Sequence, residues 1–427
     1  LEKEPVKSDL KDLFEDMGYT YSWDFSRKDG LYWHEFYDPE TEGMALQVEF
    51  DISKERFLDV WFNEDLEYPP FFCAGDDTSE KATQTWERAG PWALRVKEEV
   101  EAVRDNVGVL DLAGFSRFNL SGGGAAEWLR CQIAGSLPKA GRMTLGYFPD
   151  NRGRILTEMS IIRHSDDDFT LITAALAQWH DFEILSNSLT DGLSLTDHTD
   201  EFSTLIVSGP KSRDLFESLK TQADLSLGWL SHQDAVVAGT ACRLLRVSFA
   251  GELGWEVHAP NAEIPKLYEA IKGAGAKPFG MYALNSMRIE KGYRTWKGDL
   301  STDYTLFEGG LDRFIKLEKP QNFPGKAALQ NEQQQGAKKR FITMVVDSGD
   351  YDAPYMSTIL CGDEVVGETT SGDWGYRVNA SIALGVVRVD LSVPGTVLEI
   401  EMYGRRYKAV VQPDEPLWDH TNERLRA

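Results

Sequence analysis

LIVSGPKSRDLFESL, residues 205–219, reads as a strand, a glycine turn and a helix. The same design stands earlier in the chain, with Phe118 to Leu120 as the strand, Ser121-Gly122-Gly123-Gly124 as the turn and Ala125 to Leu129 as the helix. Two copies of one strand, turn and helix unit imply a duplicated α+β lobe. The triple-glycine turn matches neither GxGxxG nor GxxxxGK[ST], so it is a tight structural turn and not a phosphate cradle, and a Rossmann reading fails.

Outward from these units, the body of the protein begins at Trp86, with a helix over Val96 to Asn106 and a strand starting in Val107 to Leu112. Past Lys339 the chain becomes strand after strand with glycine breaks: Phe341 to Asp347, Ser357 to Leu360, Val365 to Thr369, Ser381 to Val389, Val397 to Tyr403 and Tyr407 to Val411. That pattern predicts an all-β C-terminal domain over 339–427, a small barrel or jelly roll, after a two-lobed domain over 86–338. Residues 1–85 are acidic and crowded with aromatics. Alternation in Leu46 to Ile52 and Phe57 to Phe62 marks paired strands of an accessory unit. Its aromatics are either the core of a small domain or a surface for a partner.

A chain of 427 residues needs more than one core, and 42% hydrophobic with 27% charged residues is the balance of a soluble folded protein. The net charge of -24 repels phosphate backbones and anionic lipid, which argues against nucleic-acid or membrane binding and for a small-molecule ligand. No run approaches the roughly 18 apolar residues of a spanning helix. Cys73, Cys131, Cys242 and Cys361 are far apart, so neither a disulfide framework nor a zinc site is indicated, and a reducing cytoplasm is the expected home. The chain opens on Leu1 with no leader pattern, as expected of a trimmed chain or a piece of a longer polypeptide.

HExxH, GxSxG and recognisable Cys/His spacings are all missing, and the seven histidines are dispersed. What remains are carboxylates and arginines set in apolar segments, where burial makes a charge costly unless something binds it. In RVSFAGELGWEVH (246–258), Gly251 and Gly254 bracket Glu252 between two strands, with no cation beside it in sequence. The carboxylate either accepts paired N–H bonds from an amidine-like edge, such as that of a pterin, or pairs with an arginine of the same lobe. Phe249 lies in the same segment and is a candidate to face that ring. In MRIEKGYRTWKGDL (287–300), a helix from Ala283 to Lys291 closed by Gly292 carries Arg288, which either supports Glu252 or faces solvent. In YFPDNRGRILTEMSIIR (147–163), alternation along Ile155 to Ile162 sets Glu158 on a face with Leu156, Ser160 and Ile162. Partial burial there would raise its pKa and suit it to proton handling; the dull reading is an exposed edge. Trp374 and Tyr376, on the GDWGY turn, either wall a ligand channel or fill a domain seam.

Seven ordered segments together resemble the aminomethyltransferase (glycine cleavage T-protein) family, and most of all the folate-binding half of dimethylglycine and sarcosine dehydrogenases. They are EAVRDNVGVLDLAGFSRFNLSG (101–122), NRGRILTEMSIIR (151–163), VSGPKSRDLF (207–216), RVSFAGELGWEVH (246–258), SMRIEKGYRTWKGDL (286–300), EGGLDRFIKLEKPQNFPGKAAL (308–329) and GETTSGDWGYRVNASIALGVV (367–387). The resemblance covers about Trp86 to the C-terminus. It implies an α+β fold, a three-lobed disc whose central channel holds tetrahydrofolate, with the pterin gripped by Glu252 and Arg288 in support. Where most members carry a catalytic Asp, this chain has Glu158, preceded by Thr157, and Arg154 replaces the second glycine of the turn before it.

The expected activity is transfer of a one-carbon group from a small methylated substrate to tetrahydrofolate, with Glu158 stabilising positive charge and accepting the proton. The dehydrogenases also carry an FAD domain, whose fingerprint is missing here, so any oxidation falls to an oxidase or dehydrogenase partner, to an upstream segment, or does not occur. The rivals are a demethylase working alone and a non-catalytic folate-binding or regulatory subunit.

Overall fold

The computed structural model describes residues 20–26, 31–37, 44–51, 56–62, 91–112 and 114–427. The chain divides into two compact units, Leu1–Thr85 and Trp86–Ala427. In the first, strands Thr20–Ser26, Leu31–Tyr37, Met44–Asp51 and Arg56–Phe62 form an antiparallel meander. The alternation read at 46–52 and 57–62 is its last pair, with Leu46 opposite Phe62. The aromatic side chains of this unit, and with them the choice between core and docking surface, lie outside the described residues.

The second unit carries the duplicated lobes. One is a five-stranded antiparallel sheet in the order Ser194–Asp197, Phe115–Ser121, Asp168–Ala174, Ile155–Arg163 and Arg142–Pro149. Helices Ala125–Arg130 and Gln178–Ser188 close over it, and Phe118, Leu120, Leu129 and Phe169 are fully buried between the layers. Each such side chain contributes roughly 1.5–3 kcal/mol. The other is a six-stranded sheet, His232–Val237, Thr240–Leu245, Gly254–Pro260, Phe202–Ser208, Gly108–Asp111 and Lys277–Pro278, whose last pair is parallel. Trp255, Val257, Leu267 and Ile271 are buried between this sheet and helices Ser212–Ser218 and Ile264–Gly273. Helices Pro91–Asp105 and Met281–Ile289 pack together through Val96, Val100, Ala283 and Met287.

The C-terminal strands close into a barrel: Lys339–Val346, Ala380–Arg388, Glu364–Gly375, Thr358–Cys361, Val397–Met402 and Arg405–Val411, the last paired back to the first. The expected α+β architecture with a terminal β-barrel is the one observed. The differences are local. The first helix starts at Pro91 and not Val96, because proline suits a helix's first turn and Ala93 already faces the core. The second ends at Ile289, two residues before the Lys291 expected. The strand expected to stop at Thr369 runs on to Gly375 past an irregularity at Thr369/Ser371. Gly372 permits this, since a Cβ there would stand 2.0 Å from the Ala353 carbonyl oxygen. No helix among the described residues is long and apolar enough to cross a membrane.

Candidate functional site

The strand Ile155–Arg163 alternates as its sequence requires: Ile155, Thr157, Met159 and Ile161 are buried, while Leu156, Glu158 and Ser160 are half-buried on the other face. A buried carboxylate pins that choice of face. Asp181 accepts hydrogen bonds at Oδ2 from Thr157 Oγ1 (2.8 Å) and from Thr173 Oγ1 (2.6 Å) of the adjoining strand. Glu158 is thereby turned toward Tyr147, its cross-strand partner in the hairpin Arg142–Pro149/Ile155–Arg163.

Burial pushes the Glu158 carboxyl up to about 7, against a hydrogen bond from Tyr147 and the positive field of Arg294, which both pull it down. Tyr147 is itself raised, by burial first and then by Glu158. Arg294 lies 4.1 Å over the Phe341 ring and keeps a buried Nε with no hydrogen-bond partner. Trp296, packed in the same apolar cluster as Tyr147, has an indole N–H in the same condition. Next to Arg294, Tyr293 stacks on Phe249 with ring centres 5.8 Å apart and planes at 22°. Burial pushes the Tyr293 hydroxyl up to about 12. The cluster holds a carboxyl raised toward neutrality and two buried donors without a hydrogen-bond partner, and the stacked aromatic pair adjoins it in sequence through Tyr293. Among the described residues, no group of three or more His, Cys, Asp or Glu is placed to hold a metal ion.

Glu252 is buried, and three donors already engage its carboxylate. Oε1 accepts from Arg377 Nη1 (2.8 Å) and Trp418 Nε1 (3.0 Å), and Oε2 accepts from Arg424 Nε (2.7 Å). No cation stands near Glu252 in sequence because its partners arrive from the barrel and the C-terminal segment. Of the two readings, pairing with arginine is the one seen here, with the arginines supplied by the barrel and the C-terminal segment and not by the same lobe, so that this carboxylate ties three segments together.

Arg288 does not reach Glu252 either. Its Nη1 pairs with Asp299 Oδ2 (2.7 Å) and donates to the Tyr293 carbonyl (2.9 Å), Nε donates to Asn285 Oδ1 (2.8 Å), and Nη2 to Ser371 Oγ (2.8 Å). With those bonds made, it is a strut that holds the backbone of Tyr293, the residue before Arg294. Tyr376 fills the seam, its ring in the apolar cluster between helices Pro91–Asp105 and Met281–Ile289 and its hydroxyl donating to the Ala93 carbonyl (3.0 Å). Trp374 is half-buried, and its carbonyl accepts from Ser286 Oγ (2.6 Å). Phe249 stacks on Tyr293 and packs against the apolar cluster of helices Pro91–Asp105 and Met281–Ile289.

Sequence reasoning missed Tyr147, Tyr293 and Arg294. Tyr147 had only half a signal: the Pro149-Asp150-Asn151 turn marks a hairpin, but counting back from Pro149 opposite Ile155 would set Tyr147 opposite Thr157, and a register shift at Phe148/Pro149 is what brings it opposite Glu158. Arg294 had none, since a charge in an irregular segment carries no periodicity.

A family model described as the GCVT N-terminal domain matches residues 60–319, and one described as the glycine cleavage T-protein C-terminal barrel domain matches 339–419. The chain is 32% identical to the mitochondrial dimethylglycine dehydrogenase of Rattus norvegicus over 83% of this chain and 42% of that protein, so it spans about two-fifths of that relative's length. It is 26% identical to the aminomethyltransferase of Listeria monocytogenes serotype 4a (strain HCC23), over 76% of this chain and 91% of that one. Among solved structures it resembles glycine cleavage system aminomethyltransferase T from Bartonella henselae, with a TM-score of 0.70, 21% identity, and 76% and 90% of the two chains covered. That likeness speaks to the fold.

Proposed function

We propose, from the premise that this chain belongs to the glycine cleavage T-protein family, that it binds tetrahydrofolate at the Glu158 cluster and takes up a one-carbon unit from a small methylated amine. Aminomethyltransferases of this family are folate-dependent. The observation that carries the reading is the Glu158 carboxyl, raised to about 7 beside Tyr147 and the unmet Nε of Arg294.

Bound tetrahydrofolate would supply the nucleophilic ring nitrogen that accepts the carbon. Glu158, when ionised, stabilises positive charge developing beside it and takes up the proton released, a contribution of about 10²–10⁴ in rate for a positioned base. The Tyr147 hydroxyl donates to that carboxylate and holds its pKa within reach of neutrality. Arg294 suits an oxygen acceptor on the ligand, and the Phe249–Tyr293 stack offers a flat wall to a ring. The carbon would arrive already activated, from an oxidase or dehydrogenase, as the likeness to a dimethylglycine dehydrogenase suggests.

Calorimetry with tetrahydrofolate tests the first half and transfer the second. The full chain is supplied with tetrahydrofolate, dimethylglycine and an oxidase for it, and methylenetetrahydrofolate is followed by mass spectrometry. Binding retained and transfer lost in Glu158→Gln is the expected result. No binding to the wild type overturns the reading; binding with transfer indifferent to Glu158→Gln makes the chain a non-catalytic folate subunit.

A further inference from the structure

A cleft of about 780 Å³ separates the two lobes of the second unit, away from the Glu158 cluster. One wall is the strand Phe115–Ser121, through Arg117 and Asn119; the other is the outer part of the six-stranded sheet, through Val236, Arg243, Leu245 and His258. An apolar plug of Met143, Ile162, Ile172 and Leu245 packs the same interface.

Arg117 is 7% exposed, and no carboxylate among the described residues stands within 4 Å of its guanidinium. Its Nη2 donates to Thr204 Oγ1 at 3.0 Å and to His258 Nδ1 at 2.5 Å, while Nη1 is buried and has no partner. An arginine donating to Nδ1 requires a lone pair there, so His258 is the neutral tautomer whose Nε2–H donates to Glu256 Oε2, 2.9 Å away. Glu256 therefore faces Arg117 from beyond the imidazole, and its charge only partly offsets the burial that lowers the Arg117 pKa. A buried guanidinium with an unmet donor is unfavourable until an acceptor reaches it.

The rim adds a second cation. Arg243 donates to Asp234 Oδ1 (2.9 and 2.7 Å) and to the His164 ring (3.0 Å). The histidines that look scattered in sequence assemble here, His198 and His258 in the lining and His164 edge-on to His232 just behind it, with ring centres 5.0 Å apart. Asp234 offsets Arg243 there, so the charge left without a direct carboxylate partner in the lining is that of Arg117. Between the cations the lining is apolar, with Phe118, Ile162, Val236 and Pro260. Charge at one end and an apolar body fit an organic carboxylate better than a bare inorganic anion.

We propose that the Arg117 cleft between the two lobes is a second ligand site, which binds a small organic carboxylate with an apolar or aromatic body, its carboxylate on the free Nη1 of Arg117. The site is independent of the folate reading, since the two share no residue.

Benzoate is the probe, with inorganic phosphate as the comparison, each titrated into the full chain by ligand-observed NMR. Benzoate is expected to bind the wild type and to weaken on the order of tenfold or more in Arg117→Gln, the loss of one charge-assisted contact. Because Arg117 is buried and its replacement risks misfolding, Ala241→Trp, at an exposed position of the lining, is the second variant; it fills the cleft and is expected to block benzoate while leaving the melting temperature unchanged. Benzoate binding that survives Ala241→Trp, binding abolished by Phe249→Ala instead, a preference for phosphate, or no binding to the wild type would each overturn the proposal.

Discussion

Arg377 holds Glu252 with Nη1 2.8 Å from Oε1, and neither side chain keeps more than 1% of its surface in water. The same guanidinium pairs through Nε with Glu290, also fully buried, and donates through Nη2 to the Met287 carbonyl (2.6 Å). One arginine of the barrel thus anchors the loop of one lobe and the helix Met281–Ile289.

Removing Glu252 leaves Arg377 and Arg424 without that counter-charge, and breaking a buried pair from one side costs about 3–5 kcal/mol. Glu252→Ala is expected to lose that much stability in urea unfolding, and Glu252→Gln, which still accepts from Arg377 and Trp418, is expected to lose less. Tetrahydrofolate affinity, measured well below the melting temperature, is expected to stay at the wild-type value. A selective loss of affinity in a stably folded Glu252→Ala would restore the pterin clamp.

The Glu158 carboxyl sets a pH profile. With its pKa raised to about 7, the transfer rate is expected to rise with pH through a midpoint near 7 as the base ionises. Tyr147→Phe removes a hydrogen bond that lowers this pKa, so its midpoint moves upward; Glu158→Gln is slow and flat. For stability the sign is opposite. A carboxyl whose folded pKa is raised stabilises most below the ordinary carboxyl range, and that contribution is lost as pH rises to about 7. Melting of wild type and Glu158→Gln between pH 4 and 8 reads the difference.

Asp299 accepts from Arg288 (2.7 Å), from Thr295 N (2.8 Å) and Oγ1 (2.9 Å), and from the hydroxyls of Thr370 and Ser371 (2.6 Å each). Burial acts to raise its pKa, but Arg288 and the hydroxyl donors more than offset it and hold the group below the usual carboxylate value. Its stabilisation is therefore present above that value and is lost as pH falls through the folded pKa. Asp299→Asn is expected to cost about 3–5 kcal/mol at neutral pH and to flatten the acid limb of the unfolding curve.

Gly251 has φ +77°, and a Cβ there would stand 2.5 Å from Lys291 Cγ, whose Nζ is held by the carbonyls of Trp418 (3.0 Å) and Asp419 (2.9 Å). Gly251→Ala is expected to lose about 1–3 kcal/mol. Gly123→Ala, in open space with no such conformation, is expected to stay within about 0.5 kcal/mol. Thermal melts of the two distinguish a positional requirement from a general intolerance of glycine replacement.

What the sequence made legible is what local periodicity encodes. Alternation along 155–162 set Glu158 on the half-buried face, and the glycine-broken strands past Lys339 became the barrel. What stayed hidden depends on residues far apart in the chain. The partners of Glu252 lie at 377, 418 and 424, and no pattern within a strand or helix announces a bond across such distances. The cluster around Arg117 and His258 is invisible for the same reason: each residue alone is an ordinary member of its strand, and only the pairing of two sheets brings them together.

The closure of the C-terminal barrel bears on solubility. With Arg405–Val411 hydrogen-bonded back to Lys339–Val346, this part of the chain turns no row of unsatisfied peptide groups outward, and a neighbouring molecule finds nothing there to extend. The open sheets of this unit differ: each has two edge strands, of which Arg142–Pro149 is the longer in one and His232–Val237 the longer in the other. Under partial thermal unfolding, intermolecular strand addition would begin at those two borders, and residues 339–411 would be the last to enter a fibril.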